Sequence, residues 1–319
     1  MPKKTQPAPR LHMQQFRILV AWQPQSSGDE ALEVAAWLAR TADVTVQCVT
    51  TFLRPWPSPA MSKLGSKHKK WFKKETERYT KAVSAKLNDV GIDRAQWANP
   101  VAVIADGTSE SVMLTQAAHD FGADMILLGS KAAAPKGRFL PGTTADSMLH
   151  SSPRPLLLAP RSPKLAKRGI TRVNVAFIGQ DTDESATTTA AELAAAWGVP
   201  LRILALSPDG FGAPPVSESI KPSTDLSHEW RENALAILDR LRSSAHAAFP
   251  HIDITCEVGS GNGWHGALDV LKWKKGDLLC FGSSPLGAFE RVFIGSQTSE
   301  ILPHVQVPVL MIPTRGKEQ

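Results

Sequence analysis

Offset by 153 positions, residues 124–160 of this chain lie over residues 277–313 without a gap. The stretch GSKAAAPKGRFLPGTT at 129–144 meets GSSPLGAFERVFIGSQ at 282–297. The identical pairs are Asp124/Asp277, Gly129/Gly282, Ser130/Ser283, Arg138/Arg291, Gly142/Gly295, Pro155/Pro308, Leu157/Leu310 and Pro160/Pro313, and Thr143 faces Ser296. Most are glycines, prolines and turn residues, where backbone geometry selects the residue. The earlier segments repeat as well: FRILVAW (16–22) resembles RVNVAF (172–177), and each leads through a polar loop into an Ala-rich helical stretch. A period near 150 residues is too long for a solenoid unit, so the chain is read as two tandem domains. They are residues 16–160 and 170–313, with a polar, basic linker at 161–169 and tails at 1–15 and 314–319.

Each half shows the same order of elements. Strands are expected near 16–22, 44–53, 98–105, 124–129 and 155–160, with helices near 28–41, 66–90, 108–121 and 143–151. The second half gives strands near 172–178, 199–206, 252–258, 277–282 and 307–312, and helices near 183–197, 224–247, 263–274 and 296–303. Alternating strands and helices imply βαβ units. Strand runs that are apolar throughout imply a sheet covered on both faces. The expected fold is therefore α/β: two doubly wound, Rossmann-like domains, each a mainly parallel five-stranded sheet. Such folds take ligands at the carboxyl ends of the strands, where the strand order reverses.

Gly129 closes a strand at such an end, and Gly142-Thr143 opens a helix. One reading is structural: glycine turns the chain, and Thr143 or Ser296 caps the helix. The other is functional: free N–H groups at a helix start favour anions, phosphate above all, and glycine lets a ligand approach the backbone. The repetition of the frame keeps both open.

Strand, Gly-Ser, spacer, Gly-Ser/Thr, short helix and then PRPLLLAP or VPVLMIP resembles the universal stress protein family in its tandem form, over essentially both halves. The resemblance implies that the last strands, 155–160 and 307–312, pair the halves as an internal pseudo-dimer; a further homodimer is compatible with it. It also implies a stress-linked regulatory or binding role rather than turnover. ATP-binding members carry Gly-x2-Gly-x9-Gly-Ser/Thr. Gly129, Gly142, Thr143, Gly282, Gly295 and Ser296 match, with Ser130 and Ser283 beside the first glycines; Ala132 and Pro285 replace the second glycine. The family's Asp at the end of the first strand aligns with Gln23 and Ile178. A degenerate ATP-type site is the expectation, retained in the first half rather than the second, because Gln23 still hydrogen-bonds and Pro285 lacks an N–H. Mg²⁺ is expected only together with ATP. Arg138 and Arg291 lie in the spacers, either as surface arginines or as screens for phosphate charge.

The net charge of +6 comes from one segment, since residues 63–86 hold nine Lys/Arg against two Glu. Phe72, Tyr79, Val83, Leu87 and Val90 recur at helical steps as a buried stripe, with Lys67, Lys70, Lys74, Arg78 and Lys81 as a basic one. A solvated helix face is one reading; a dock for an acidic protein partner through Lys70, Lys74 and Arg78 is the other. No nucleic-acid-binding motif accompanies the lysines, so nucleic acid is not expected. The three cysteines, Cys48, Cys256 and Cys280, sit in apolar runs without CxxC spacing and are expected to be buried thiols in a reducing, cytoplasmic location. No apolar run reaches the length of a transmembrane helix, and no signal-like apolar core follows the basic N-terminus. The glycines of VGSGNGWHG (258–266) are read either as a flexible turn or as a phosphate-cradling loop. The histidines lack metal-ligand spacing, and there is no G-x-S-x-G elbow. Catalytic residues are therefore assigned to none, and a slow ATP hydrolase ranks below the binding readings.

Overall fold

The computed structural model describes residues 15–25, 28–54, 65–178, 184–209, 224–283, 292 and 294–313; for 65–68, 209 and 224–229 only the backbone course is described. The first half runs β1 (Phe16–Ala21), α1 (Glu30–Ala39), β2 (Val44–Leu53), α2 (Gly65–Val90), a 3₁₀ turn at Arg94–Gln96, β3 (Trp97–Gly107), α3 (Glu110–Phe121), β4 (Met125–Gly129), α4 (Thr143–Leu149) and β5 (Leu156–Ala159). The second runs β6 (Arg172–Ile178), α5 (Ser185–Trp197), β7 (Leu201–Asp209), α6 (Thr224–Ala248), β8 (Ile254–Asn262), α7 (Gly263–Asp269), β9 (Asp277–Gly282), α8 (Ser296–Ile301), a 3₁₀ turn at Leu302–His304 and β10 (Val309–Ile312).

These strands form one ten-stranded sheet in the order β3-β2-β1-β4-β5-β10-β9-β6-β7-β8. Within each half every pairing is parallel. The halves meet where β5 and β10 run antiparallel, Leu157 opposite Leu310. They are the two terminal strands expected to join the repeats. Their side chains are buried on both faces, which suits strands that are apolar throughout.

One apolar layer lies between the sheet and α1, α2, α5 and α6, the other between the sheet and α3, α4, α7 and α8. Both layers cross the seam without a break: Phe16 of the first half meets Trp197 of the second, ring centroids 5.9 Å apart. The linker is packed down as well. Ala166 donates its N–H to Lys275, and Ile170 donates its N–H to the Thr41 hydroxyl. Residue 169 has φ +87° and sits against Thr41 and the end of α1, so glycine is required there for both backbone and space.

Two expectations change. The glycines of 258–266 are not a loop: β8 runs on to Asn262, and a side chain at Gly259 or Gly261 would strike the α7 backbone at Ala267 or Gly266. Their absence of side chains lets α7, which ends at Asp269 rather than near 274, lie directly on the strand. Cys48 and Cys280 are fully buried, and burial pushes both thiols well above their ordinary pKa. Cys256 is exposed, because β8 is an edge strand and shares its cover with solvent.

Candidate functional site

The strand order reverses between β1 and β4 in the first half and between β6 and β9 in the second. The repeated Gly-Ser pairs stand at these two points. The halves fill them differently.

In the first half the place beside Gly129 belongs to Glu30, the first residue of α1 and 6 % exposed. Its Oε1 accepts the Ser130 N–H at 3.1 Å, and its carboxylate also takes a hydrogen bond from its own backbone N–H. A Cβ on Gly129 would stand 3.0 Å from that oxygen, and one on Gly28 would collide with Oε2. Burial raises the Glu30 pKa from its ordinary 4.5, against the pull of the two N–H groups; Glu33 and Asp29 nearby raise it further. Glu110, at the start of α3, accepts hydrogen bonds from Thr51 on β2 and Thr144 on α4.

The Ser130 hydroxyl is used within its own loop. It accepts the Leu140 N–H at 2.9 Å and faces the carbonyls of Leu140 and Arg138 at 3.3 and 3.4 Å. Lys131 donates its N–H to Leu140, Arg161 reaches the Ala134 carbonyl at 2.8 Å, and Phe139 is buried in the core. The loop is thus held by its own residues together with Arg161 and, at its first peptide, Glu30. Gly142 caps α4 through its carbonyl, with open space over its Cα; Thr143 and Ala132 are exposed. Gln23, just beyond β1, is exposed. Arg138 is half-buried, not a free surface arginine: its guanidinium lies near enough to His304 to add to the burial that lowers that imidazole's pKa.

The second half holds a cavity of about 220 Å³ at the corresponding place. Its wall is Val175, Phe177, Ile178 and Phe281; its polar groups come from Thr187, Ser283, Ser296, Gln297 and Thr298, with Gly282 and Gly295 between them. Glu30's place against the strand glycine is taken by Ala186, whose Cβ lies 3.1 Å from where a Cβ on Gly282 would be. Ser283 is 1 % exposed and donates its N–H to Ile312, while Ser296 and Gln297 are exposed at the rim. Neither α5 nor α7 carries an acid in its first turn, whereas α1 carries Glu30 and Glu33 and α3 carries Glu110. Asp181, Asp183, Pro285 and Arg291 lie outside the described residues, as do Lys63 and the side chain of Lys67.

The model of the universal stress protein family matches residues 16–160 and again 169–313. The chain belongs to the universal stress protein family. Among curated proteins, a universal stress protein of Mycobacterium tuberculosis is 27 % identical over 303 residues, covering 93 % of this chain and 99 % of that one. A universal stress protein of Mycolicibacterium smegmatis is 22 % identical, with 94 % and 98 % covered. Among solved structures, a universal stress protein from Archaeoglobus fulgidus superposes with a TM-score of 0.60 at 17 % identity, covering 94 % of this chain and 98 % of that one. At that identity the likeness speaks for the fold, and both relatives and structure share the two-domain length.

Sequence reasoning missed Glu30 and Ala186. The signal was available only in part. An acid in a helix's first turn is ordinary dipole chemistry, and nothing in its spacing marks it as buried against a glycine a hundred residues away.

Proposed function

We propose that this universal stress protein is a stress-linked regulatory protein that binds a nucleotide, ATP in the first instance, in its second half. What carries this reading is the contrast between the two switch points: a carboxylate against Gly129, an open cavity against Gly282. The preference for the first half is thereby reversed. A phosphate beside Ser130 would meet a buried carboxylate of the same charge. Beside Gly282 it would meet the hydroxyls of Ser296 and Thr298, and the apolar wall of Phe177, Ile178 and Phe281 suits the flat face of a base. Ile178 offers no hydrogen bond to base or ribose, so recognition falls to shape and to the hydroxyl rim.

Mg²⁺ enters this reading only on the phosphates. Among the described residues no group of three or more His, Cys, Asp or Glu is placed to hold a metal. Among the described lining residues none is an ordinary general base, so we read the role as binding rather than turnover. Calorimetry with ATP, with and without Mg²⁺, tests it: one equivalent per chain at sub-millimolar concentration is expected, and the absence of heat overturns it.

A second reading rests on α2. Lys69, Lys70, Lys73, Lys74, Arg78 and Lys81 are exposed along it, with Trp71 43 % exposed at its start and Leu53 46 % exposed at the end of β2. We infer a docking face for an acidic protein partner. The triple variant Lys70→Glu, Lys74→Glu, Arg78→Glu loses capture of an acidic peptide if this holds; capture that survives charge reversal removes the reading.

A further inference from the structure

Glu30 is a carboxylate taken out of water at the carboxyl ends of the strands, and such burial is costly unless the charge is hydrogen-bonded. The compensation comes from two backbone N–H groups and from its place at the start of α1, the surroundings that a bound anion receives from a protein. Gly28 and Gly129 both leave room for this side chain: a Cβ on either would press on it. The two glycines therefore serve an internal ligand. Glu110 adds a second carboxylate, tied to Thr51 and Thr144, on the far side of the same strand ends. Among the described residues the second half carries neither. Ala186 stands in Glu30's place, and Glu184, just before α5, pairs with Arg240 at 3.3 Å instead.

We propose that Glu30 is a built-in stopper: its carboxylate takes an anion's place in the first half, closes that half to nucleotide, and fixes the 129–143 loop without a ligand. Ala132 is a bystander in this account, since its side chain is exposed. The inference shares with the reading above only the place where an anion would bind, and its test counts sites relative to the unaltered chain. Equilibrium dialysis of ATP against the full-length Glu30→Ala protein is expected to give one equivalent more than the unaltered chain, whether that chain binds one or none. Loop fixation is read separately by limited trypsin digestion at Lys131 and Lys136, both exposed in the loop. Cleavage there accelerates several-fold in Glu30→Ala, and ATP slows it in the variant but not in the unaltered chain. Should Glu30→Ala not fold, Glu30→Ser supplies the same readings. A folded variant with no gained equivalent and unchanged cleavage overturns the proposal.

Discussion

Moving the stopper to the other half gives the sharpest perturbation. Ala186→Glu places a carboxylate against Gly282, as Glu30 stands against Gly129. A unit negative charge about 4 Å from a phosphate costs about 4 kcal/mol at the effective dielectric of a protein site, which is nearly three powers of ten in affinity. Exposed Ser296 and Gln297 at the rim admit solvent and ions, so screening removes part of this. A loss of about thirty-fold or more remains as the expectation for ATP. Ala186→Gln separates volume from charge: it fills the same space and loses less affinity. Calorimetry at low and high salt reads both variants, and the gap between Glu and Gln narrows as salt rises. If Ala186→Glu, folded by circular dichroism, binds ATP as tightly as the unaltered chain, the ligand does not lie beside Gly282 and the reasoning fails.

Other outcomes follow from the same geometry. Because burial raises the Glu30 pKa, the folded chain holds that proton more tightly than the unfolded chain does, so its contribution to stability is present below the unfolded pKa and is lost as pH rises through the folded one. Glu30→Gln is then more stable than the unaltered chain at neutral pH, and urea titrations show the gap closing as pH falls toward 4.5. Asp277 is fully buried and binds Arg172 through both oxygens, at 2.8 and 2.7 Å, with buried Arg202 beside it. Asp277→Ala leaves cations uncompensated and costs about 3–5 kcal/mol in a denaturant titration. Leu310→Ala opens a hole in the seam beside Leu157 and costs about 2–5 kcal/mol. Since both apolar layers cross that seam, tryptophan fluorescence and far-ultraviolet circular dichroism shift together rather than in two steps.

The repeat made the fold legible because it displayed every strand and helix twice, and all-apolar strands leave little choice but a covered parallel sheet. The β5–β10 seam was readable for the same reason: those runs are apolar on both faces and end each repeat. The sites were not readable to that depth. Ser130 was noticed as a ligand hydroxyl, yet its Oγ closes its own loop through Leu140. Gly259 and Gly261 looked like a flexible turn because sequence does not show which backbone approaches which; the answer is α7. Cys256 lies between Thr255 and Glu257 on the edge strand β8 and is exposed, whereas Cys280 lies between Leu279 and Phe281 on an inner strand and is buried. Glu30 and Ala186 decide between the halves, and they sit outside every motif. Their meaning depends on a contact between residues a hundred positions apart.

In the proposed scheme the two repeated frames differ in use, one filled by Glu30 and one open. A crystal structure of the full chain grown with ATP and Mg²⁺ tests it most directly. Nucleotide density is expected between Gly282 and Ser296, with the Glu30 carboxylate still against Ser130. Nucleotide density beside Gly129, with Glu30 displaced, would contradict it.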